Sequence, residues 1–556
     1  MKRKVFSVLF ALVLVLSFSL VTAVPASAVI LPEFWVDDDW LGCTPGNAVD
    51  GHICGTDGFG KIQDGINAVT SPPGGIVHVA AGTYNENVDV NKDGVFLIGA
   101  GASSTTVQAV NSSDYVFDVT QSNVTITGFM VTGATDTNYA GIAVGCGADN
   151  CTISSNIATG NWQGIRLSSS DGSTISGNQV YENLAEGIYL ANCSNCVIDG
   201  NIVHDNDMMI HPGILLDHGS GNQVKNNEVY NEAYGIGLLG SDDNTILNNS
   251  IHDNGHGIYI DWGTITTSDN NKILGNSIVY NSATEESGIH LTTGAAGTVI
   301  NFNNIEGNSP TPSSYGVSNE NSSAPADATN NWWGDDSGPS HSPGTGDKVS
   351  DHVTYFPWLG APLELPAAYH ETLGPGIHAV DASDEADTVV TLTVNATTSE
   401  TDIDIARYES QPFPEEPFPD ASLGKFIDVH LSNCYAVVWP ILIEMHYTDG
   451  EVRAAGIVED SLGLYYYETV DTFHRCSDTG VDTTNNIIWA NVTKEEAGCL
   501  LFTPFGGGGS TVAPTVGGTV YPVDKVSILM PWIGLAVALA LAGVFGTRFV
   551  RRRVRG

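Results

Sequence analysis

Short stretches of alternating apolar and polar residues fill the middle of the chain, and they recur at a regular distance. In seven successive units between residues 151 and 308, an Ile or Val stands three places before an Asn. These asparagines lie 22 to 27 residues apart, at Asn156, Asn178, Asn201, Asn227, Asn249, Asn276 and Asn303. Repeats of this length indicate a solenoid in which each unit forms one coil.

Two further features recur in most of the units. A second Asn follows five places after the first in six of the seven units, and a Gly-Ile-x-(Leu/Ile) step comes next. The alternation within a unit has the period of a strand and not of a helix. Asn and Gly are the residues that tight, left-handed corners favour. We therefore expect three short strands in each coil, with the inward Ile, Val and Leu forming one continuous stack.

This pattern resembles the right-handed parallel β-helix family, which includes pectate-lyase-like proteins and NosD-type periplasmic repeat proteins. The resemblance covers roughly residues 36–359. Ahead of the repeats, GFGKIQDGINAVT places Ile62, Ile66 and Val69 on one helical face, as suits a helix that closes the first coil. After them, NNWWGDDSGPSHS looks like the family's closing coil. The resemblance implies a β-helix over residues 29–360 but no single activity, because such coils host many unrelated functions.

Beyond the repeats, ordinary strand patterns take over. Segments such as TVVTLTVNA, KFIDVHL and ILIEMHY, separated by turn residues, are typical of an antiparallel β-sandwich. We expect this module to span residues 366–505. Residues 506–525 begin with four glycines and predict a flexible linker. The expected fold class is all-β, a right-handed parallel β-helix solenoid followed by an antiparallel β-sandwich, with one transmembrane helix near the C-terminus.

Two apolar segments flank these modules. Residues 1–28 combine a basic start, an apolar run and the sequence Ala-Ser-Ala, which together predict a secretory signal peptide. Residues 526–547 carry no charge and are long enough to span a bilayer, and the arginine-rich tail 548–556 predicts a cytoplasmic end. A sorting signal that is cleaved is the alternative for this segment. Both interpretations place the bulk of the chain outside the cell, at its surface.

The charge balance restricts the partners and ions. Without the basic residues of the signal and the tail, 12 Lys and Arg remain against 63 Asp and Glu. Nucleic acid is not expected as a partner, because phosphate binding needs a basic surface. No cofactor is evident, and Ca²⁺ is the ion that such an acidic exterior favours. Copper is not carried over from the NosD resemblance, because the chain has only six Met and no His-x-His cluster.

Nine cysteines are present, an odd number for an exported chain. Close pairs such as Cys43 with Cys54, or Cys146 with Cys151, are candidates for loop disulfides. The single CxxC at residues 193–196 is interpreted as a disulfide or as plain stacked cysteines. A metal or redox site is disfavoured there, because no second CxxC or neighbouring helix pattern accompanies it.

The stretch HDNGHGIYID, residues 252–261, supplies the candidate catalytic residues. Neighbouring coils lie about 4.8 Å apart, so Asp205 and Asp253, two coils apart, are separated by roughly 9 to 10 Å. This is near the roughly 6.5 to 9.5 Å between the carboxyl groups of an inverting glycosidase. With His252 and His256 they form the candidate catalytic set. A solvated acidic face is the alternative, since any solenoid with acidic outward columns offers such pairs.

Tyrosines and aspartates in outward columns are the candidates for substrate binding. Tyrosine rings on a flat sheet can stack on sugar faces and add a hydrogen bond. The longer coil that contains His211, Asp217 and His218 is expected to loop out beside this surface. Ordinary packing between coils is the alternative for the tyrosines. The candidates are Tyr181, Tyr189, Tyr230, Tyr259, Asp217 and Asp261.

The expected domain order is a rod-shaped solenoid, a sandwich, a linker and a membrane anchor. This order presents the long side surface of the solenoid away from the membrane. The leading hypothesis is a membrane-anchored surface protein whose β-helix binds a polysaccharide or another cell-envelope polymer, with no evident catalysis. The enzyme alternative is a polysaccharide hydrolase, lyase or epimerase that uses acidic residues on the coils. A third hypothesis is a structural spacer or surface-layer component.

Overall fold

The structure is a computed structural model, and it describes residues 31–511 apart from residues 208, 261–266, 282–286, 342–343, 396–399, 414–417, 469–471 and 499–502. The predicted signal peptide, transmembrane helix and basic tail lie outside the described residues. Within the described ranges, no helix combines the length and the apolar character needed to cross a membrane.

Residues 33–354 wind into a parallel β-helix with three sheets, which confirms the predicted solenoid. A typical coil gives one strand to sheet 1, one to sheet 2 and one to sheet 3, in that order, and each strand pairs in parallel with its equivalents in the neighbouring coils.

Sheet 1 consists of Gly58–Phe59, Glu33–Val36, Gly75–Val79, Val95–Gly99, Thr125–Thr127, Thr152–Ser154, Thr174–Ser176, Val197–Asp199, Gln223–Lys225, Thr245–Leu247, Lys272–Leu274, Val299–Asn301, Ala326–Asp327 and Val353–Thr354. Sheet 2 consists of Gly82–Asn85, Thr105–Gln108, Met130–Thr132, Ile157–Thr159, Gln179–Tyr181, Ile202–His204, Glu228–Tyr230, Ser250–His252, Ser277–Val279 and Asn304–Glu306. Sheet 3 consists of Val88–Val90, Phe117–Val119, Ala140–Val144, Gln163–Ser168, Ile188–Ala191, Pro212–Asp217, Tyr234–Leu239, His256–Ile260, Ser287–Leu291 and Tyr315–Asn319.

The core of the solenoid is the stack of aliphatic side chains that the repeat predicts. Ile175 pairs with Ile198 and Ile198 with Val224, in register along sheet 1, and all three side chains are fully buried. The strands bury their central residue and leave the flanking two half-exposed. Burial of one aliphatic side chain contributes about 1.5 to 3 kcal/mol, so the continuous column is the main source of stability in the rod.

The recurring asparagines form buried hydrogen-bonded ladders at the corners. At the corner between sheets 1 and 2, Nδ2 of Asn227 donates to Oδ1 of Asn249 and Nδ2 of Asn249 donates to Oδ1 of Asn276, both at 2.9 Å. The left-handed conformation belongs instead to the preceding residue, such as Asn226 or Asn248. The sequence interpretation of these asparagines as corner formers is therefore corrected: the ladder residues satisfy buried backbone groups, and their neighbours make the turn.

A second ladder lies at the corner between sheets 2 and 3. It includes Asn183, Asn206, Asn254 and Asn281, and Glu232 takes the place of asparagine in one coil. The left-handed residues before this ladder include Glu182, Asp205, Asn231 and Asp253.

The N-terminal end is closed by a helix and a disulfide-bonded loop. The helix Ile62–Ala68 buries Ile62 and Ile66 against the first coils, as the sequence predicts. A short antiparallel hairpin, Ala48–Val49 with His52–Ile53, follows the 3₁₀ turn Asp38–Trp40. The predicted Cys43–Cys54 disulfide is present, whereas Cys146 and Cys151 are not joined. Cys193 and Cys196 are buried thiols rather than a disulfide.

After the solenoid come two antiparallel sheets that enclose one core, as the sequence predicts. One sheet contains Leu363–Leu373, Thr401–Tyr408, Ala421–Leu431, Pro504–Gly509, Gly463–Glu468 and Thr472–Arg475. The other contains Gly376–Ala382, Thr388–Val394, Val437–His446, Ile487–Val492 and Thr479–Asp482. Short helices at Ser383–Ala386 and Asp449–Ala455, and 3₁₀ turns at Cys434–Ala436 and Glu459–Ser461, connect the strands.

The four glycines at residues 506–509 belong to the sandwich and not to a linker. They form the buried strand Pro504–Gly509, which pairs with strands on both sides. A Cβ at Gly506 would come within 2.7 Å of the Phe426 ring. Glycine is therefore present because aromatic rings lie directly against this strand, and the predicted linker starts too early.

Side chains of the solenoid hold the first strand of the sandwich. Asn248 donates from Nδ2 to the Ala368 carbonyl at 2.6 Å and accepts from the Ala368 N–H at 2.9 Å. Asn304 pairs with Leu363 in the same way, at 2.9 Å for both bonds. Lys272 adds a salt bridge of 2.9 Å to Asp402. Each asparagine amide thus replaces a backbone partner, and the two modules share a hydrogen-bonded junction.

Candidate functional site

The residues singled out from the sequence lie on two different outward faces of the solenoid. Tyr181, Tyr230 and His252 end strands of sheet 2, and the corner residues Asp205 and Asp253 follow. Tyr189, Asp217, His256 and Tyr259 lie on sheet 3. Asp261 is outside the described residues. The predicted catalytic set is therefore divided, because His256 is on a different sheet from Asp205, His252 and Asp253.

Four rings on consecutive coils of sheet 2 form a stacked ladder. The ring centroids of Tyr181, His204, Tyr230 and His252 are 5.1, 4.8 and 5.1 Å apart, and successive planes differ by 3° to 7°. The inner faces of these rings cover one another. The stacking agrees with the alternative of packing between coils, and it leaves no space for a sugar ring between these residues. The hydroxyl groups and ring edges are what this ladder presents to a ligand.

Asp205 and Asp253 each bind the histidine that precedes them. His204 Nδ1 lies 2.8 Å from Asp205, and His252 Nδ1 lies 2.9 Å from Asp253. Both aspartates have a left-handed backbone, with φ of 53° and 56°. Asp is one of the few non-glycine residues that adopt this conformation readily. Both aspartates therefore have structural roles: their backbones form the turn, and their carboxylates orient the histidines of the ladder.

On sheet 3, a chain of polar contacts runs through Tyr189. Its hydroxyl donates to Asp217 Oδ2 at 2.6 Å, and His218 Nδ1 contacts the other carboxylate oxygen. The guanidinium carbon of Arg166 lies 5.6 Å from the Tyr189 ring centroid, on the neighbouring coil. Burial and the hydrogen bond to Asp217 raise the pKa of Tyr189 well above its usual value. The hydroxyl therefore remains protonated and acts as a hydrogen-bond donor.

Beside Tyr189 lies a buried carboxylate that the sequence interpretation missed. Glu186 accepts from Gln163 Nε2 and from His211 Nδ1, both at 2.8 Å. Burial opposes its ionisation, yet these two hydrogen bonds lower the pKa of Glu186 below its ordinary value. The same contact raises the pKa of His211, whose Nε2 also lies 3.7 Å from Asp207. The position of Glu186 directly before the Gly-Ile step, facing Gln163 one coil earlier, is the sequence signal that marks it.

We call this group the Tyr189 site. It consists of Gln163, Arg166, Glu186, Tyr189, His211, Asp217 and His218.

A second aromatic group lies further along sheet 3. His256 stacks on Tyr234 at 4.9 Å, and Tyr259 stacks on His290 at 4.7 Å. Burial, with a contribution from His290, lowers the pKa of His256 to about 3. His256 is therefore a neutral imidazole and a weak base over the physiological range, which suits packing rather than a role as a cation or a general base.

The Tyr189 site can bind a polar polymer that lies along the sheet. The outward row offers the guanidinium of Arg166, the ring of Tyr189 and the carboxylate of Asp217, and the buried Glu186 with His211 lies beside it. Carbohydrate hydroxyls both donate and accept hydrogen bonds, so a mixed row of donors and acceptors around an aromatic ring matches them.

Three parallel sheets stacked coil upon coil, with buried asparagine ladders, define a parallel β-helix repeat protein. Two family models match this part of the chain. The model described as "Right handed beta helix region" matches residues 83–250, and the model described as "Periplasmic copper-binding protein (NosD)" matches residues 179–337.

The chain is similar to a cell surface glycoprotein of Methanothermus fervidus. The two are 28% identical over 254 residues, which is 40% of this chain and 41% of that protein. The match therefore spans less than half of the length of the relative.

The chain is also similar to several solved structures. The mannuronan C-5 epimerase AlgE6 A-module of Azotobacter vinelandii is 18% identical, with a TM-score of 0.40, over 58% of this chain and 99% of that chain. Tailspike protein 2 of the Escherichia coli O157:H7 bacteriophage CAB120 is 12% identical, with a TM-score of 0.44, over 87% and 73% of the two chains.

The description of the second family model names copper, not the Ca²⁺ that the charge of the chain favours. The histidine pair His204 and His252 does not fit a copper centre. His204 and His252 are separated by the ring of Tyr230, and each is held by its own aspartate. Within the described ranges, the one group of three possible ligands whose atoms lie within 4.8 Å of one another is Asp37, Asp38 and Asp39. Carboxylates alone are poor copper ligands.

Proposed function

We propose that this protein is a cell-surface β-helix protein that binds a polysaccharide of the cell envelope along sheet 3, at the Tyr189 site. The similarity to a cell surface glycoprotein supports the location. Anchorage through residues 526–547, with the signal peptide at residues 1–28, completes the proposal for how the rod is displayed.

The observation that carries the proposal is the Tyr189–Asp217 hydrogen bond beside Arg166 on an otherwise acidic rod. A hydroxyl, a carboxylate and a guanidinium in one row fix the orientation of a sugar chain through directional bonds. On sheet 2, the hydroxyls of Tyr181 and Tyr230 lie along the stacked ladder and extend the polar surface. Tyr259 continues the same surface on sheet 3.

A polysaccharide array with the purified full-length protein tests this proposal. Replacement of Tyr189 by Phe removes the hydroxyl and keeps the ring, and it should weaken binding about tenfold, the equivalent of one directional hydrogen bond. Tyr280→Phe, at an exposed corner, is the matched control and should bind like the wild type. If Tyr189→Phe and Asp217→Asn both bind normally, the site is elsewhere. If no polysaccharide binds at all, the spacer hypothesis is favoured.

A polysaccharide-processing activity is the second candidate. It is favoured by the proximity of a buried carboxylate, Glu186, to the imidazole of His211, a pair that can hold or transfer a proton. Each polymer that binds should be incubated with the protein and followed for new reducing ends, unsaturated products and changed sugar configuration. Loss of activity in Glu186→Gln would place the chemistry on sheet 3. Loss in Asp205→Asn and Asp253→Asn would place it at the corner after sheet 2.

A further inference from the structure

A second binding pocket lies at the N-terminal end of the rod, on the outward face of sheet 1. The cavity has a volume of about 490 Å³ and is far along the chain from the Tyr189 site. We propose that it binds a single neutral sugar residue, and that it does so independently of sheet 3. The lining combines one apolar wall with aromatic and acidic residues.

The first side of the pocket is built by a column of sheet 1. Trp35 pairs with His78 on the next strand, and His78 pairs with Ile98 on the strand after it. Ile98, Gly99 and Ala100 form an apolar wall. The C–H faces of a pyranose ring need such a surface, because burial of apolar area away from water stabilises the complex.

The other side is built by the disulfide-bonded segment between Cys43 and Cys54. His52, from the hairpin within it, stacks on Trp35 with centroids 4.2 Å apart. Trp40 precedes the segment and donates from Nε1 to Asp50 Oδ2 at 3.0 Å. The disulfide and these contacts fix the second wall before a ligand arrives, which reduces the entropy lost on binding.

The rings of the pocket leave no open face of Trp35 for a quaternary ammonium ion. Trp35 has His52 stacked on it at 26° and His78 at 24°, so both indole faces are covered. A cation binds the face of an aromatic ring. What Trp35 offers is its edge, and its Nε1–H makes no hydrogen bond to any described residue.

The charges of the pocket argue against an anionic ligand. Asp37 and Asp50 line the cavity, and His78 and His52 lie beside the carboxylates of Glu33 and Asp57, at 3.4 and 3.3 Å. No Lys or Arg is among the residues that line it. A carboxylate or sulfate would be repelled, whereas sugar hydroxyls can donate to Asp37 and Asp50 and accept from Trp35. A neutral sugar satisfies both the apolar wall and these polar groups.

Saturation-transfer NMR of the full-length protein with methyl glycosides tests the pocket. The probes are the methyl glycosides of glucose, galactose, mannose and N-acetylglucosamine, with methyl glucuronoside and tetramethylammonium as charged comparisons. At least one neutral glycoside should bind with a Kd below about 10 mM, and the glucuronoside should bind about tenfold more weakly. Binding of tetramethylammonium in place of the glycosides, or of no neutral probe, would overturn the proposal.

Two variants locate the binding. Ala100→Phe fills the cavity from an exposed position and leaves Trp35 and Trp40 intact, so it should reduce affinity at least tenfold without unfolding the first coils. Asp50→Asn should lower the affinity severalfold, because a charge-assisted hydrogen bond becomes a neutral one. Tyr435→Ala removes an exposed ring in the sandwich and is the matched control. Unchanged glycoside binding by Ala100→Phe refutes the pocket, whereas Tyr189→Phe affects only the polymer site on sheet 3.

Discussion

The backbone N–H and the side-chain amide of Asn206 both donate to one carboxylate oxygen of Glu232, at 3.2 and 2.7 Å. Glu232 thus acts as the acceptor that asparagine provides in the neighbouring coils. Glu232 has no side-chain N–H, so it cannot donate to the next coil as the asparagines do. Its Oε2 has no hydrogen-bond partner among the described residues. Burial raises the pKa of Glu232 from 4.5 to about 8.

Glu232→Gln should therefore change how stability depends on pH. A raised pKa means that the folded state prefers the protonated acid, so the contribution of Glu232 is complete below pH 4.5 and is lost as the pH rises through about 8. Glutamine does not ionise, so the variant does not lose stability in this way as the pH rises. We expect the variant to match the wild type near pH 4 and to be more stable by roughly 1 to 3 kcal/mol at pH 9.

Urea unfolding at several pH values measures this difference. Glu228→Gln is the control, since Glu228 is exposed on the adjacent strand of sheet 2. A constant difference between Glu232→Gln and the wild type from pH 4 to pH 9 would show that the carboxyl group is not buried as described.

Asn249→Ala should destabilise the solenoid strongly. Asn249 is fully buried and donates to the Val224 carbonyl at 2.8 Å and to Asn276 at 2.9 Å, while it accepts from the backbone and side chain of Asn227. Alanine leaves these buried groups without partners, at about 1 to 3 kcal/mol for each unsatisfied group. We expect a loss of about 2 to 4 kcal/mol in the free energy of unfolding.

Chemical denaturation followed by circular dichroism measures this loss. Asn91→Ala, at an exposed position, should change stability by less than about 0.5 kcal/mol. Equal stability of the two variants would contradict the ladder.

The alignment of repeats was sufficient to predict the buried column and the existence of the corners. Ile175, Ile198 and Val224 are each three places before an Asn, and strand alternation then forces them inward. The role of the asparagines was harder to predict, because Asn favours both left-handed turns and buried amide ladders. Only the structure separates Asn248, which turns the chain, from Asn249, which bridges coils.

The candidate site was predicted only in part. Tyr189 and Asp217 are outward residues as expected, but their contact joins neighbouring coils and depends on side-chain rotamers. The stacking of Tyr181 on His204 could have been predicted from the sequence, since strands about 4.8 Å apart place rings in one column at stacking distance. The buried strand at residues 506–509 could not have been predicted, because a run of glycines does not indicate the aromatic rings that pack on it.

The junction between solenoid and sandwich should depend on Asn248. Asn248→Gly keeps the left-handed backbone, with φ of 55°, and removes both bonds to Ala368. Asn226→Gly is a matched control, because Asn226 has the same backbone conformation one coil earlier but donates to Asp199 within the solenoid. We expect faster proteolysis near residue 368 in Asn248→Gly but not in Asn226→Gly, and cleavage should extend to residue 363 when Asn304→Ala is added. Equal cleavage of Asn248→Gly and Asn226→Gly would show that these amides do not hold the junction.

Asp253 allows a structural role to be separated from a catalytic one. Its φ of 56° is unfavourable for residues other than Gly, Asn and Asp, so Asp253→Ala should cost about 1 kcal/mol and Asp253→Gly should cost less. Both variants also remove the carboxylate that holds His252 at 2.9 Å. Thermal unfolding reports the backbone effect, and a polysaccharide cleavage assay reports the chemical one. If Asp253 is a corner residue without catalytic function, Asp253→Gly should unfold at a temperature close to that of the wild type and keep any activity that the wild type shows. If Asp253→Gly is as stable as the wild type but has lost cleavage, the carboxylate takes part in catalysis and the solvated-face interpretation of this corner is wrong.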